Sequence, residues 1–338
     1  MRGLVRELKK LLLLLFSCFS LISFSNTPLK VGLVLDKGGK DDKSFNASAF
    51  LGATEAKQKF GFKLKVLECS SDSALTPSIR TFAQHGYNLI IGIGFVQQSP
   101  IEEVAKQFPK THFLLVDAPS DLPNVRSVIF NEHEGSYLVG AIAALSSKTG
   151  TVGFIGGMDI PLIRRFEWGY RAGVKSISPQ TKVITHFVGT SSDAWRNPSK
   201  AKELALVQFS KTADVSFCAA GASCSGVFDA AEEMKHFAIG VDSNQNWVKP
   251  GFVLTSMVKG VNLAVFQAIE SEINGSFQAG RFSMGLADGA ISFSVDEYNR
   301  SILTPTVEKK ANEIRSQIIK GQIRVPDYYQ EKKAGTRK

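Results

Sequence analysis

Three carboxylates, Asp36, Asp117 and Asp242, each follow directly on a short apolar run, and Lys259 follows a fourth. From Asp36 the chain reads Asp36-Lys37-Gly38-Gly39-Lys40-Asp41-Asp42-Lys43-Ser44-Phe45-Asn46. A second polar, glycine-bearing stretch, Gly221-Ala222-Ser223-Cys224-Ser225-Gly226, comes just after the run that holds Phe217. Carboxylates accept hydroxyl hydrogens in pairs, glycines let backbone N–H groups approach a ligand, and aromatic faces stack on planar bases. Such a set suits the capture of a small polar molecule with a flat ring. Each residue also has a plainer use. An acid ahead of a helix caps it, so Asp41 and Asp42 read as caps of a helix near Ser44. A Phe beside a strand is ordinarily core. The weight lies in the collection of these residues at strand ends.

Motifs for covalent or metal chemistry are incomplete. Lys43-Ser44 ends like a phosphate loop, but Lys37 and Asp42 stand where G-x-x-x-x-G-K-[ST] needs glycine. After Gly92-x-Gly94 a dinucleotide fingerprint needs glycine where Gln97 stands. Gly221-Ala222-Ser223 begins a nucleophile elbow that Ser225 interrupts. His85, His112, His133, His186 and His236 show no zinc-ligand spacing, and His133, between Glu132 and Glu134, reads as the start of a solvated helix. The expectation is a protein with no catalytic residues, no metal and no cofactor.

The elements that position these residues alternate. Strand-like runs lie at Leu29–Leu35, Leu64–Cys69, Leu89–Gly94, Phe113–Asp117 and Ser127–Phe130, with helix-like stretches near Ser44–Phe60, Pro77–His85 and Pro100–Gln107. A second series has strands at Thr151–Ile155, Lys182–Val188, Asp214–Cys218 and Ala238–Val241, with helices near Glu132–Ser147, Pro161–Ser176, Pro198–Ser210 and Gly226–His236. Continuous Val/Ile/Leu runs mark strands covered on both faces, and βαβα alternation implies a parallel sheet. Two series predict two doubly wound α/β lobes. Val253–Val258, Val261–Ile273, Gly289–Ser294 and a helix near Val307–Lys320 are too little for a third domain, and predict a chain that returns to the first lobe and crosses again. In open sheets of this kind ligands sit beyond the carboxyl ends of the strands.

The 40 Lys and Arg against 31 Asp and Glu give a formal charge of +9 over 338 residues. Much of it lies outside this body. Residues 1–25 carry Arg2, Arg6, Lys9 and Lys10 against Glu7, then an apolar run from Leu11 to Phe24 and a Ser23-Phe24-Ser25 ending, which describes an export signal. Leu15-Phe16-Ser17-Cys18 also resembles a lipobox, so a lipid anchor at Cys18 stays open. Residues 326–338 read as a basic tail through Lys332, Lys333, Arg337 and Lys338. The remaining charge does not call for nucleic acid. Beyond the signal, Cys69, Cys218 and Cys224 are left. Cys218 and Cys224 can pair in an oxidising compartment or remain buried thiols.

Val31-Gly-Leu-Val-Leu-Asp36-Lys-Gly-Gly-Lys-Asp-Asp-Lys-Ser-Phe45-Asn46 resembles the opening of the basic membrane protein (PnrA-like) family, the substrate-binding proteins of nucleoside ABC importers. The likeness continues through Glu134-Gly-Ser-Tyr-Leu-Val-Gly140, Val152-Gly-Phe-Ile-Gly-Gly157, Phe166-Glu-Trp-Gly-Tyr-Arg-Ala-Gly173, Ala213-Asp-Val-Ser-Phe217, Ile239-Gly-Val-Asp242-Ser-Asn-Gln245 and Leu254-Thr-Ser-Met-Val-Lys259, so it spans about residues 30–300. The resemblance implies a type I periplasmic-binding fold with a three-segment hinge: lobe 1 from 29–131 plus about 257–285, lobe 2 from 132–256 plus about 286–325. It implies a purine base sandwiched by Phe45 and Phe217, with Asp36 and Asp117 near the base, Asp242 and Lys259 toward the ribose, and the glycine-rich turn at Gly221-Ala222. Lys37 and Ser44 complete the set of expected contacts. Lys37 and the Cys218 to Ser225 turn depart from the family pattern.

The implied ligand is a nucleoside and the implied partner an ABC permease, served by an exported monomer. A sugar or autoinducer receptor, a sensory protein of the same fold and a nucleoside-processing enzyme are the competing readings. Charge-assisted hydrogen bonds to a diol contribute about 1.5–3 kcal/mol each and stacking about 1–3 kcal/mol per base. Rings on opposite lobes stack on the ligand only when the lobes close, so ligand shifts the hinge equilibrium.

Overall fold

The computed structural model describes residues 28–335. The expected signal and Cys18 lie outside them, as do the last three residues. Strands β1 (Lys30–Leu35), β2 (Lys63–Glu68), β3 (Leu89–Ile93), β4 (His112–Val116) and β5 (Val125–Phe130) alternate with helices α1 (Phe45–Phe60), α2 (Leu75–Gln84) and α3 (Gln98–Gln107). After α4 (Glu132–Ser146) come β6 (Thr151–Met158), α5 (Pro161–Ile177), β7 (Lys182–Gly189), α6 (Pro198–Ser210), β8 (Val215–Ala219), α7 (Cys224–Met234), β9 (Phe237–Asp242) and β10 (Val253–Lys259). The chain closes with α8 (Val261–Ile273), β11 (Gly280–Met284), β12 (Ile291–Phe293), α9 (Pro305–Ile319) and α10 (Tyr328–Gly335).

The strands form two six-stranded sheets, ordered β11-β5-β4-β3-β1-β2 and β12-β10-β9-β8-β6-β7. All pairings are parallel except β12 with β10. Position for position the orders match, so β4 in one lobe corresponds to β9 in the other. Three segments cross between the lobes: after Phe130, after Lys259, and between Met284 and Ile291. Because β10 runs on to Lys259, the second crossing falls at Gly260, later than the residue 257 expected from the sequence.

Helices begin where local chemistry favours it. Asp42 accepts the backbone N–H groups of Ser44, Asn46 and Ala47 at 2.8–2.9 Å and so caps α1, as the sequence suggested. Proline opens α5, α6 and α9, where its missing N–H costs no hydrogen bond. Strand β11 had no sequence signal: Arg281, Phe282 and Ser283 are exposed on an edge strand, so no continuous apolar run marks it. The segment read as a basic tail begins as structure. Asp327 accepts from Nε and Nη2 along one edge of the Arg165 guanidinium at 2.9 and 3.0 Å, and Trp168 meets Tyr328 edge-on, which seats α10 on α5.

The start of α4 is a correction. Glu132 is 0 % and His133 7 % exposed, so this is no solvated helix. Helix α5 lies against α4 so closely that a side-chain carbon at Gly173 would come within 2.0 Å of the Tyr137 carbonyl oxygen. Burial moreover pushes the His133 imidazole down to about 4, so it is neutral.

Candidate ligand-binding site between the lobes

The carboxyl ends of both sheets face one cleft, about 620 Å³ when measured out to open solvent. Asp36, Phe45, Asp117, Gly221, Ala222, Asp242 and Lys259 of the expected set line it. Asp117 and Asp242 stand at the ends of the corresponding strands β4 and β9, and both take left-handed backbone, with φ of 69° and 65°. That conformation is uncommon for a non-glycine residue and marks positions held for a purpose.

Lys259, at the end of β10, is 1 % exposed. Its ammonium lies 2.6 Å from Asp117 Oδ2 and 3.3 Å from Glu132 Oε1. It also lies 5.0, 5.1 and 5.6 Å from the ring centres of Phe45, Phe130 and Phe166. Burial alone would lower this amine, but Asp117, Glu132 and Asp242 outweigh it and hold the ammonium charged. Burial pushes the Asp117 carboxyl up to about 7 against the pull of Lys259. It pushes Asp242 up to about 6, with Lys259 and Ser44 opposing. Asp117 Oδ1 has no hydrogen-bond partner among the described residues. Asp117 therefore groups with Lys259 and Asp242, and not with Asp36 as the resemblance implied.

Asp36, which follows β1 and is separated from Asp117 by strand β3, accepts from Gly38 N at 3.0 Å and Asn46 Nδ2 at 2.7 Å. Burial raises the Asp36 carboxyl, and these two donors oppose it. The Asn46 amide also donates to Asp42 at 3.1 Å, which leaves its buried Oδ1 as an unpartnered acceptor. Gly94, with φ 102°, leaves room: a side-chain carbon there would touch Phe45 at 3.5 Å and Asp36 Oδ2 at 3.7 Å.

Phe217 is overturned as a cleft residue. It is 0 % exposed and packs against Phe154 and Tyr170, with ring centres 5.6 and 5.3 Å away. The aromatic walls are instead Phe45 and Phe95 from lobe 1 and Phe166 and Trp195 from lobe 2. Trp195 sits in the turn between β7 and α6, seated over Gly157 and edge-on to Phe95 at 6.4 Å. Lys37 and Ser44 do not line the cleft either. Lys37 crosses its mouth to Asp193 at 2.8 Å. Ser44 Oγ donates to Asp242 Oδ2 at 2.6 Å and joins lobe to lobe. Ser192 Oγ reaches Asp72 at 2.8 Å, so the lobes touch at several points and the molecule is closed. Cys218 and Cys224 form a disulfide across the turn that bears Gly221 and Ala222. Among the described residues no group of His, Cys, Asp and Glu is arranged to hold a metal ion.

Residues 29–328 match the family described as ABC transporter substrate-binding protein PnrA-like. The chain belongs to that family. It is 34 % identical over 331 residues to the CD4+ T-cell-stimulating antigen of Listeria monocytogenes, covering 90 % of this chain and 89 % of that protein. It is likewise 34 % identical over 323 residues to the ABC transporter nucleoside-binding protein BmpA of Lactococcus lactis, covering 89 % and 90 %. A solved ABC transporter solute-binding protein from Aeropyrum pernix K1 matches with a TM-score of 0.81 at 28 % identity, over 88 % of this chain and 94 % of that one. The PnrA-like family is one of substrate-binding proteins, and its two-lobed type I periplasmic-binding fold accounts for the three crossings and the cleft between them.

Proposed function

We propose that this PnrA-like protein is an exported, monomeric receptor that closes on a purine nucleoside and delivers it to an ABC permease without transforming it. The reading rests most on the buried, unpartnered acceptors Asp117 Oδ1 and Asn46 Oδ1, the second on the residue bonded to Asp36, in an aromatic-walled cleft. Unsatisfied buried acceptors are costly, and a ligand carrying both hydroxyl and N–H donors relieves them. A nucleoside has that layout, and its flat base suits rings from opposing lobes. The carboxylates Asp117 and Asp242 beside Lys259 take the ribose diol, while Asp36 and Asn46 meet the base edge. Phe45 supplies the lobe 1 face. Trp195, partly exposed where Phe166 is 3 % exposed, supplies the lobe 2 face.

Isothermal titration of mature protein, unfolded and refolded to strip any bound ligand, tests this with adenosine, guanosine, inosine, cytidine, free bases and ribose. Tight binding of purine nucleosides is expected, with free ribose weak. Tight ribose binding with no gain from a base would overturn the nucleoside reading in favour of a sugar receptor. Chromatography of the same mixtures is expected to recover the nucleoside intact; released base would overturn delivery without chemistry. Trp195→Ala is expected to weaken purine binding about tenfold or more, in line with the value of a stacked base.

A further inference from the structure

We propose that a second surface, built from the same two turns that close the cleft, is the groove in which an acidic, apolar-tipped loop of the ABC permease docks. The inference rests on the transporter reading above and names the face that reading needs.

The groove lies between Phe50, Leu51 and Thr54 of α1 on lobe 1 and Asn244 and Trp247 on lobe 2, with Lys43 at its edge. Leu51 is 49 % and Trp247 47 % exposed, an apolar pair presented to solvent with one member on each lobe. Such exposed apolar surface marks interaction sites more often than chance positions. Among the described residues none that lines the groove is acidic. Lys40 is satisfied by Asp41. Lys43 has no ion pair among the described residues, and its ammonium lies 5.3 Å from the Trp247 ring centre. An apolar slot with an ammonium unmatched by any carboxylate fits a partner carrying an apolar side chain beside an acid.

Its construction ties the groove to closure. Along one turn, Asp42, Phe45 and Asn46 face the cleft while Lys43, Ala47 and Ser48 face the groove. Across the seam, Asp242 faces the cleft while Ser243 and Asn244 face the groove. Gln245 Nε2 donates to the Lys43 carbonyl at 2.9 Å and Ser243 Oγ to the Ser44 carbonyl at 2.8 Å, and these bonds hold the two halves together. Lys43 takes left-handed backbone, φ 56°, a strained conformation for a lysine. Whatever draws residues 42–46 onto 241–242 assembles the groove in the same movement. A partner that binds the assembled groove therefore prefers the closed form, and by linkage the cleft's ligand favours that partner.

The test uses cells that lack their own copy and express either wild type or Leu51→Glu, with Trp247→Ala as a second variant that adds no charge. Uptake of labelled guanosine and adenosine is read beside nucleoside Kd on the purified proteins. A Kd within about twofold of wild type with uptake lowered about tenfold, the scale of a truncated interface anchor, is expected for both variants. Unchanged uptake with unchanged Kd in both would overturn the groove and leave the nucleoside reading standing. Failure of wild type to bind any nucleoside would overturn that reading and the groove's role with it. Sedimentation showing a wild-type dimer that Leu51→Glu dissolves would also overturn it, because the occupant would be a second copy.

Discussion

Asp117 and Asp242 occupy the same place in two halves of the same design, yet they have been put to different uses. Each ends the corresponding strand of its sheet, each has left-handed backbone, and burial raises both carboxyls. Asp117 reaches across to the lysine of lobe 2 and keeps one oxygen unpartnered. Asp242 accepts from Ser44 of lobe 1, at the seam. Equivalent positions thus stand in different company: one acid pairs with a buried cation and keeps an oxygen unpartnered, while the other bonds across the seam. Backbone geometry sets where a carboxylate stands, and what faces it from the other lobe sets what it does.

Four experiments probe that contrast. The largest effect is expected from Lys259→Met, which leaves Asp117, Glu132 and Asp242 without their ammonium. Removing one partner of a buried ion pair costs about 3–5 kcal/mol. Urea unfolding is expected to show that loss at pH 8 and a smaller one at pH 5, where Asp117 and Asp242 protonate. An equal loss at both would mean that the acids do not depend on Lys259 for their charge.

Next come Asp117→Asn and Asp242→Asn, compared for nucleoside binding. Asp117→Asn is expected to cost about 2 kcal/mol, roughly thirtyfold in Kd, because its unpartnered oxygen is the one offered to ligand. Asp242→Asn is expected to weaken affinity too, but with a larger share in the dissociation rate, because it also loosens the seam. Identical rate and affinity changes in stopped-flow measurements would erase the division of labour.

The third experiment concerns protons. An acid whose folded pKa exceeds its unfolded value, near 3.9 for Asp, binds more protons when folded. With Asp117 near 7 and Asp242 near 6, stability without ligand is expected to fall as pH rises from about 4 to 7 and then level off. Ligand hydroxyls donating to these carboxylates favour the charged form, so binding is expected to release roughly half a proton near pH 6.5. Titrations in buffers of different ionisation enthalpy read the number directly, and proton uptake would contradict the assignment.

The smallest effect is expected for Ser44→Ala. Losing one interlobe hydrogen bond, about 1 kcal/mol, should speed ligand release about fivefold and spare the association rate. Slower association with unchanged release would place Ser44 in capture and not in closure.

The periodic parts of the molecule were legible in the sequence because parallel strands buried on both faces write continuous apolar runs. The acids after β1, β4 and β9, and Lys259 after β10, could be found for the same reason, since a strand's end locates the cleft. Phe217 shows the limit. In a strand covered on both faces, an aromatic residue says nothing about which face it occupies, and tertiary packing gave it to Phe154 and Tyr170. Trp195 lies in Ser191-Ser192-Asp193-Ala194-Trp195-Arg196, a polar turn with no period. Its one signal was a large ring where loops are usually small and polar. Phe166 lies in Phe166-Glu-Trp-Gly-Tyr-Arg-Ala-Gly173, a stretch whose pattern reads as helix and does not mark a ring for the cleft. Lys37 and Ser44 were placed at the right turn, but their partners, Asp193 and Asp242, come from the other lobe, and no local pattern encodes a partner that distant. Around His133, two flanking glutamates resemble a solvated face until α5 is laid over them.

Gly221 and Ala222 are enclosed by the Cys218–Cys224 bond, a covalent ring with a sequence separation of 6. Glycine-bearing turns are ordinarily the most mobile part of a binding wall, and freezing one on contact with ligand subtracts from affinity. Here that freedom is removed when the bond forms, before any ligand arrives. The lobe 2 wall of the cleft is thus shaped by oxidation, and its readiness becomes a property of the compartment in which the chain matures.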